Sequence, residues 1–413
     1  MNILHIVQLY HPVKSGAGRY FEEIGTRLVA EGHSVTVLAT DAYDLEHLWM
    51  AGRRRVELHE ELHRGVRIVR LAIQRLPGPV LLYPVLRRLM SESSRLPGTT
   101  ALLRHMAQLT PRLPEMPDWL ARNGPFDCIH AGNITLDFAI LPAQRAARST
   151  AARFVCTPFV HLGEPGSQAL LRYYAMRHQL AILRDSDMVL TMTERERAYL
   201  EQRGVSAARL RVVGVGVEPA ELAGGDAQRF RAIHQIHGPL VLYIGALARD
   251  KGAIDTVEAL KMLRATGMTL TLVLIGAPLE HFNQYYAALP DDLKAYIRLL
   301  PYADDASKRD ALAACDMLCM PSRTDSFGIS YLEAWCYQRP VIGANAGGVP
   351  DVISEQHDGL LVHFGDPQAL AQAIQFLLNN PEQAHAMGRA GYAKVMDNFT
   401  WEQVYARVRE AYD

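Results

Sequence analysis

Cysteine is scarce in this sequence of 413 residues: there are five, an odd number, and no two stand in a C-x-x-C spacing. Cys128, Cys156, Cys315, Cys319 and Cys336 each lie in an apolar stretch such as RFVCT or DMLCM, so buried reduced thiols are expected and a disulfide or zinc framework is not. Long apolar runs are missing as well. Nothing approaches the roughly 18 consecutive apolar residues of a transmembrane helix. MNILHIVQLYHPV lacks a basic leader and runs straight into a strand pattern, so a cytoplasmic protein without a signal peptide is expected. With 49% hydrophobic and 21% charged residues the chain can bury a large core, which excludes the disordered and collagen-like classes. Its length passes the roughly 250–300 residues at which one core stops growing, and two domains follow.

A large net charge is also absent, but only in the sum. Before residue 215 the chain has 27 Lys and Arg against 20 Asp and Glu, and after it 16 against 24, so +7 and −8 combine to −1. One segment, Leu62–Pro114, holds nine Arg and a single acid, Glu92, interleaved with LPGPVLLYPVLRRLM and ALLRHM. Two readings stay open for this basic insertion. Its apolar face meets an anionic membrane or a lipid-linked substrate, which would place the protein peripherally at the inner membrane face, or it packs on its own domain with the arginines solvated. Nucleic acid is not expected as a partner, because no binding motif accompanies the arginines.

Short runs of Val, Ile and Leu alternate with stretches of 3.6-residue periodicity, the pattern of parallel strands joined by helices. Seven strands are expected in the first half: Ile3–Leu9, Ser34–Ala39, Val66–Leu71, Phe126–His130, Ala152–Thr157, Met188–Thr191 and Leu210–Val213. Six more are expected at Leu240–Ile244, Leu270–Ile275, Ile297–Leu300, Met317–Met320, Pro340–Gly343 and Gly359–Val362. Glycine and proline in VVGVGVEPAELAGGD interrupt both periodicities and mark the linker. The expected domains are therefore 1–215 and 216–394, with 395–413 ending in a helix from about Thr400 that could pack back on the first domain.

Both halves open on a strand, a glycine-containing turn and a helix, an arrangement that aims free backbone N–H groups and the positive helix end at an anion. In the first half the turn is HPVKSGAGRY, followed by a helix expected at Tyr20–Glu31. Phe21 stands where a dinucleotide fingerprint needs its third glycine, although Asp41 lies where a ribose-binding acid would sit in a nicotinamide enzyme. In the second half Gly245 opens the loop and Lys251 precedes a helix starting near Gly252. The richest segment is MPSRTDSFGISYLEAWCYQRPVIGANAGGVPDV. Asp325 lies in a loop, Phe327-Gly328 in a tight turn, and Glu333 on the following helix Ile329–Tyr337, whose first amides on Ile329 and Ser330 are unpaired donors. Two acids separated by seven intervening residues can grip opposite ends of one polar ligand by accepting from vicinal hydroxyls. Gly347-Gly348 forms a second loop where backbone can approach a ligand. The one D-x-D, Asp185-Ser186-Asp187, precedes a strand and is read as structural.

From SGAGRYFEEIGTRLVAEGHSVTVLAT through IGALARDKG to PSRTDSFGISYLEAWCYQRPVIGANAGGVPDVI, the sequence resembles retaining nucleotide-sugar glycosyltransferases of the family 4 type. The resemblance implies the GT-B architecture, two Rossmann-like doubly wound parallel-sheet domains facing a central cleft. It implies transfer from a UDP- or GDP-linked sugar to a hydroxyl acceptor such as a glycan, glycolipid or small sugar, with no metal and no organic cofactor. Asp325 would contact the donor sugar, Glu333 the ribose, and Lys251 the diphosphate, with Gly16, Gly18, Gly245 and the Gly328 turn as further donor contacts. The first acid is Asp where the family usually has Glu. Ala246 replaces the arginine that normally accompanies the lysine, and Arg249 is the substitute candidate. A histidine close to the reacting carbon falls on Phe159 or His161. The alternatives are a catalytically degenerate nucleotide-binding relative, a nicotinamide oxidoreductase, and a phosphorylase, for which none of the six lysines makes an evident pyridoxal site.

Overall fold

The computed structural model describes residues 1–109 and 111–413. The chain divides into two compact units: 1–160 with 168–214 and 405–413, and 161–167 with 215–404.

The first unit holds an eight-stranded sheet of β1 (Asn2–Ile6), β2 (Ser34–Thr40), β3 (Glu60–His63), β4 (Val66–Leu71), β5 (Cys128–Gly132), β6 (Arg153–Thr157), β7 (Met188–Thr191) and β8 (Leu210–Val212), in the order β3-β4-β2-β1-β5-β6-β7-β8. All neighbours are parallel except β3 and β4. Strand β3, EELH, has no apolar run to announce it. It pairs because Arg64-Gly65 adopts positive φ at both residues (50° and 81°), the two-residue turn that matches strand twist. Helix α1 (Gly16–Ala30) starts four residues earlier than its apolar pattern suggests, because extended Ser15 caps it, its Oγ accepting from the Gly18 amide at 2.9 Å.

The basic segment is only partly an insertion. Residues 62–71 belong to β3 and β4, where Arg67 pairs with Glu60 (2.6 Å) and Arg70 with Glu61. The remainder forms α2 (Leu82–Ser93) and a helix at Thr100–Ala107, with Thr110 outside the described residues. The final helix, Trp401–Arg409, spans the division between the units. Its end delivers Tyr412 into the first unit's core, where the hydroxyl meets His5 Nε2 at 2.9 Å and His130 Nδ1 at 2.6 Å. The stretch 395–404 groups with the second unit, so only the last nine residues pack on the first.

The second unit's sheet comprises β9 (Leu240–Ile244), β10 (Thr271–Ile275), β11 (Ile297–Leu300), β12 (Met317–Met320), β13 (Val341–Ala344) and β14 (Gly359–Val362), all parallel, in the order β11-β10-β9-β12-β13-β14. Strands β9, β10, β12 and β13 are buried at every residue, which is why they read as continuous apolar runs. Strand order reverses between β9 and β12, and the crevice past the carboxyl ends of such a pair is where doubly wound sheets bind ligands.

Candidate active site

Both loops at that switch point carry the expected residues. After β9 the chain turns through Gly245 to Lys251 and enters the helix Ala253–Ala265. The Tyr243 hydroxyl, anchored in the core, donates to the carbonyls of Ala246 (2.9 Å) and Lys251 (3.1 Å) and so sets the loop's path. Gly252 caps the helix at φ 77°, and a Cβ there would run into the Pro321 carbonyl, so the loop after β9 lies backbone to backbone on the loop after β12. Lys251 Nζ thereby reaches Asp325 Oδ1 at 2.9 Å and the Thr324 carbonyl at 3.4 Å. Burial is the largest influence and alone would raise Asp325, but the Lys251 charge, the hydrogen bonds the carboxylate accepts and His161 together outweigh it and hold the carboxyl below its ordinary range, ionised at neutral pH. Its other oxygen, Oδ2, is buried with no hydrogen-bond partner.

His161 completes this group. Residues 161–167 leave the first unit's chain run to pack with the second. They are held there by the Gly347 amide donating to the Gly163 carbonyl (2.8 Å) and by Arg323, which bridges Glu164 (3.1 Å) and Asp250 (2.6 Å). His161 feels both Lys251 and Asp325. Burial and then the Lys251 charge push it down to about 4, so it is a neutral imidazole at pH 7. Phe159, the other candidate for this position, is in the first unit's core, its ring edge-on to Tyr20 at 5.5 Å. Glu164, Gly163 and Arg323 were not recognisable in the sequence, since nothing local marks a seven-residue loop as belonging to a distant domain.

The helix after Gly328 is Ile329–Cys336, with Gly328 as its cap at φ 97°. Its first amides, on Ile329 and Ser330, lie at positions with no intrahelical acceptor. Glu333 is on the second turn, and its Oε1 receives Lys308 Nζ at 2.5 Å, a partner the sequence did not suggest. Ser330 Oγ donates to the Ile244 carbonyl (3.1 Å), tying this helix to the end of β9.

Five of the candidate positions also have bonding, packing or electrostatic roles within the fold. The Gly245 amide is spent on the Ile275 carbonyl (3.0 Å), continuing the sheet. The Phe327 side chain is buried edge-on against Phe399 (5.3 Å) and anchors the turn from the core side. Gly347, at φ 61°, is needed because a Cβ would strike the Asp325 carbonyl. With the Gly348 amide donating to that carbonyl (3.0 Å), the second glycine loop approaches Asp325's backbone. In the first unit, the Gly18 amide is taken by Ser15, and its Cβ direction meets Ser15 Oγ (2.7 Å) and the Leu9 carbonyl (2.9 Å), whereas Gly16 is open. Arg249 is exposed, donates its amide to His281 (2.8 Å), and acts electrostatically on Asp255.

Other acids are engaged within the fold. Asp41 accepts the Ile73 amide (3.2 Å), Asp187 the Phe154 amide (2.8 Å), and Asp185 pairs with Arg148 (2.8 Å). All five cysteines are unbridged. Among the described residues no helix is long and apolar enough to cross a membrane.

A Lys–Asp–His group thus lies at the switch point of a doubly wound sheet, and comparison with known proteins gives the class. Residues 15–216 match the glycosyl transferase 4-like domain and residues 226–394 the glycosyl transferases group 1 domain. The chain belongs to the glycosyltransferases. It is 24% identical to a glycogen synthase of Mycobacterium tuberculosis over 420 residues, spanning 100% of this chain and 94% of that protein. It is 31% identical to a D-inositol 3-phosphate glycosyltransferase of Jonesia denitrificans over 42% of this chain and 44% of that one. Among solved structures, sucrose-phosphate synthase of Thermosynechococcus elongatus superposes with a TM-score of 0.70 at 20% identity, covering 100% and 98% of the chains. Anabaena HepE, crystallised with UDP and glucose, superposes at 0.69 and 17% identity over 99% and 98%. The fold is that of the GT-B glycosyltransferases.

Proposed function

We propose that this glycosyltransferase moves a sugar from a UDP- or GDP-linked donor to a hydroxyl acceptor, a glycan, glycolipid or small sugar, with retention of anomeric configuration. The observation that carries the reading is the Lys251–Asp325–His161 group, in which one carboxylate oxygen is buried and unpaired. A sugar hydroxyl is a donor of the right type for that oxygen, and its loss of water on binding is matched by an oxygen already desolvated.

Cleavage of the glycosidic bond concentrates negative charge on the leaving diphosphate, so preorganised positive charge there lowers the barrier. In this reading Lys251 turns from Asp325 toward the diphosphate when the donor binds, and the Ile329 and Ser330 amides add two donors. Glu333, held by Lys308, accepts from the ribose hydroxyls. His161 faces the reacting carbon as a neutral group, able to hydrogen-bond a sugar hydroxyl without placing a cation beside an oxocarbenium-like centre. HepE, whose crystals contain UDP and glucose, supports a nucleotide-sugar donor.

Thermal melting with UDP and GDP, followed by a nucleotide-sugar screen reading released diphosphate, tests this. One of the nucleotides should raise the melting temperature, and Lys251→Ala and Glu333→Ala should each remove most of that rise. Equal shifts in both variants and in the wild type would overturn the assignment.

A further inference from the structure

Helix α2 is amphipathic in the wrong sense for a solvated surface helix. Its inner face carries Arg87, which is buried, bidentate to Asp137 (3.2 Å to each oxygen) and bonded to the Thr135 carbonyl (3.1 Å). Asp137 is closed from its other side by His178 Nε2 at 2.8 Å and Gln179 Nε2 at 3.0 Å. Tyr83 stacks on Trp49 (5.1 Å), and Met90 and Ser91 are buried. The outer face, which should be polar, presents Leu81, Val85 and Leu89, 71%, 60% and 53% exposed. Their spacing of four residues puts them in one row along the helix. Val80 precedes the row and Leu96 follows it, both exposed. Of sixteen large exposed hydrophobics among the described residues, six fall between Val80 and Leu102, while those of the second unit are scattered singly. Singly exposed apolar residues are ordinary, but a continuous row marks a surface that meets something else.

The charges on this face select the partner. Arg88 lies between Val85 and Leu89 in sequence, and Arg95 lies one residue before Leu96. The single acid of α2, Glu92, is shared by Arg95 (2.9 Å) and Arg172 (3.7 Å), so three guanidinium groups stand against one carboxylate. Other arginines of the basic segment are paired with acids: Arg64 with Glu22 and Glu23, Arg67 with Glu60, Arg70 with Glu61, Arg87 with Asp137, and Arg104 with Asp185. Beside the apolar row, by contrast, positive charge exceeds negative. Apolar residues flanked by Arg are what an interfacial helix needs to sink into the headgroup region of an anionic bilayer. We propose that the outer face of α2 and its flanks, Leu81, Val85 and Leu89 with Arg88, followed by Leu96, form a docking surface for an anionic lipid membrane.

Co-sedimentation of the full chain with phosphatidylglycerol-containing vesicles tests this against pure phosphatidylcholine vesicles. Binding should be seen with the anionic vesicles, should weaken as salt is raised, and should be lost in a Val85→Asp/Leu89→Asp double variant. Arg88→Glu should weaken it roughly fivefold or more. Because charged substitutions could disturb α2, the apolar Val85→Trp variant provides a second measurement, its emission shifting to the blue when anionic vesicles are added. No sedimentation with either vesicle, or unchanged emission, would overturn the proposal. Equal, salt-insensitive binding to both vesicles would overturn its electrostatic part. A wild-type dimer in light scattering that the double variant dissociates would assign the face to a second copy of the chain instead.

Discussion

The two sheets are wound alike, yet they treat the polar groups near their strand-order reversals in opposite ways. In the first unit, β1 and β5 flank the reversal and place His5 directly opposite His130. Both rings are closed over by Tyr412, and His130 Nε2 is taken further by Thr157 Oγ1 at 2.7 Å. Burial lowers His5 to about 3 and His130 well below its ordinary value, so both are neutral parts of the core. In the second unit the loops past β9 and β12 bring together Lys251, Asp325 and His161, all partly open, with one carboxylate oxygen left without a partner. The first cluster also keeps an unmade bond, at His5 Nδ1, but it is sealed inside the core and serves the fold. An unmade bond on a partly open group is accessible to a ligand.

Substitutions can break that contrast from either side. The largest effect is expected for Tyr412→Ala, which opens a cavity and strips the partner from two buried imidazoles. Unfolding in urea should show a loss of about 4 kcal/mol. Lys251→Ala should leave urea stability within about 1 kcal/mol and lower kcat by roughly 100–1000-fold, because it removes one preorganised donor at the developing charge. If Lys251→Ala instead unfolded the protein while keeping turnover per folded molecule, the distinction between the two clusters would fail. Gly18→Ala should cost roughly 1–3 kcal/mol through its clash with the Leu9 carbonyl, while Gly16→Ala, facing open space, should stay within about 0.5 kcal/mol.

The smallest effect is a pH dependence. His5 and His161 titrate near 6.5 in the unfolded chain and near 3 and 4 in the folded one, so the unfolded state binds more protons as pH falls. Stability should therefore be full above about pH 6.5 and decline toward pH 4. His5→Gln and His161→Gln should each flatten that decline in melting curves, and His161→Gln should lower turnover as well. A melting temperature unchanged between pH 7 and 4.5 would contradict the neutral state of these rings.

Local pattern carried most of the framework. Strands such as Leu240–Ile244 and Met317–Met320 coincide with the apolar runs that announced them, because a strand buried on both faces needs apolar residues on both. Strand β3 was invisible for the opposite reason, since none of its four residues is buried, three of them are polar, and its pairing depends on the turn at Arg64-Gly65. Lys251, Asp325 and Glu333 could be singled out because each stands at a loop or helix position whose chemistry is set by its neighbours in sequence.

What the sequence determined by itself was the two-sheet α/β fold, the glycosyltransferase resemblance and the residues from which a donor site would be drawn. Tertiary structure alone decided which polar groups remain available. Gly18 and Gly245 lost their amides to Ser15 and Ile275, and Phe327 turned into the core. His161 was separated from Phe159 by the loop's transfer to the second unit, and Lys308 was set on Glu333. The reason is physical. A residue's chemistry is a local property, but whether its hydrogen-bonding capacity is already used depends on partners tens to hundreds of residues away.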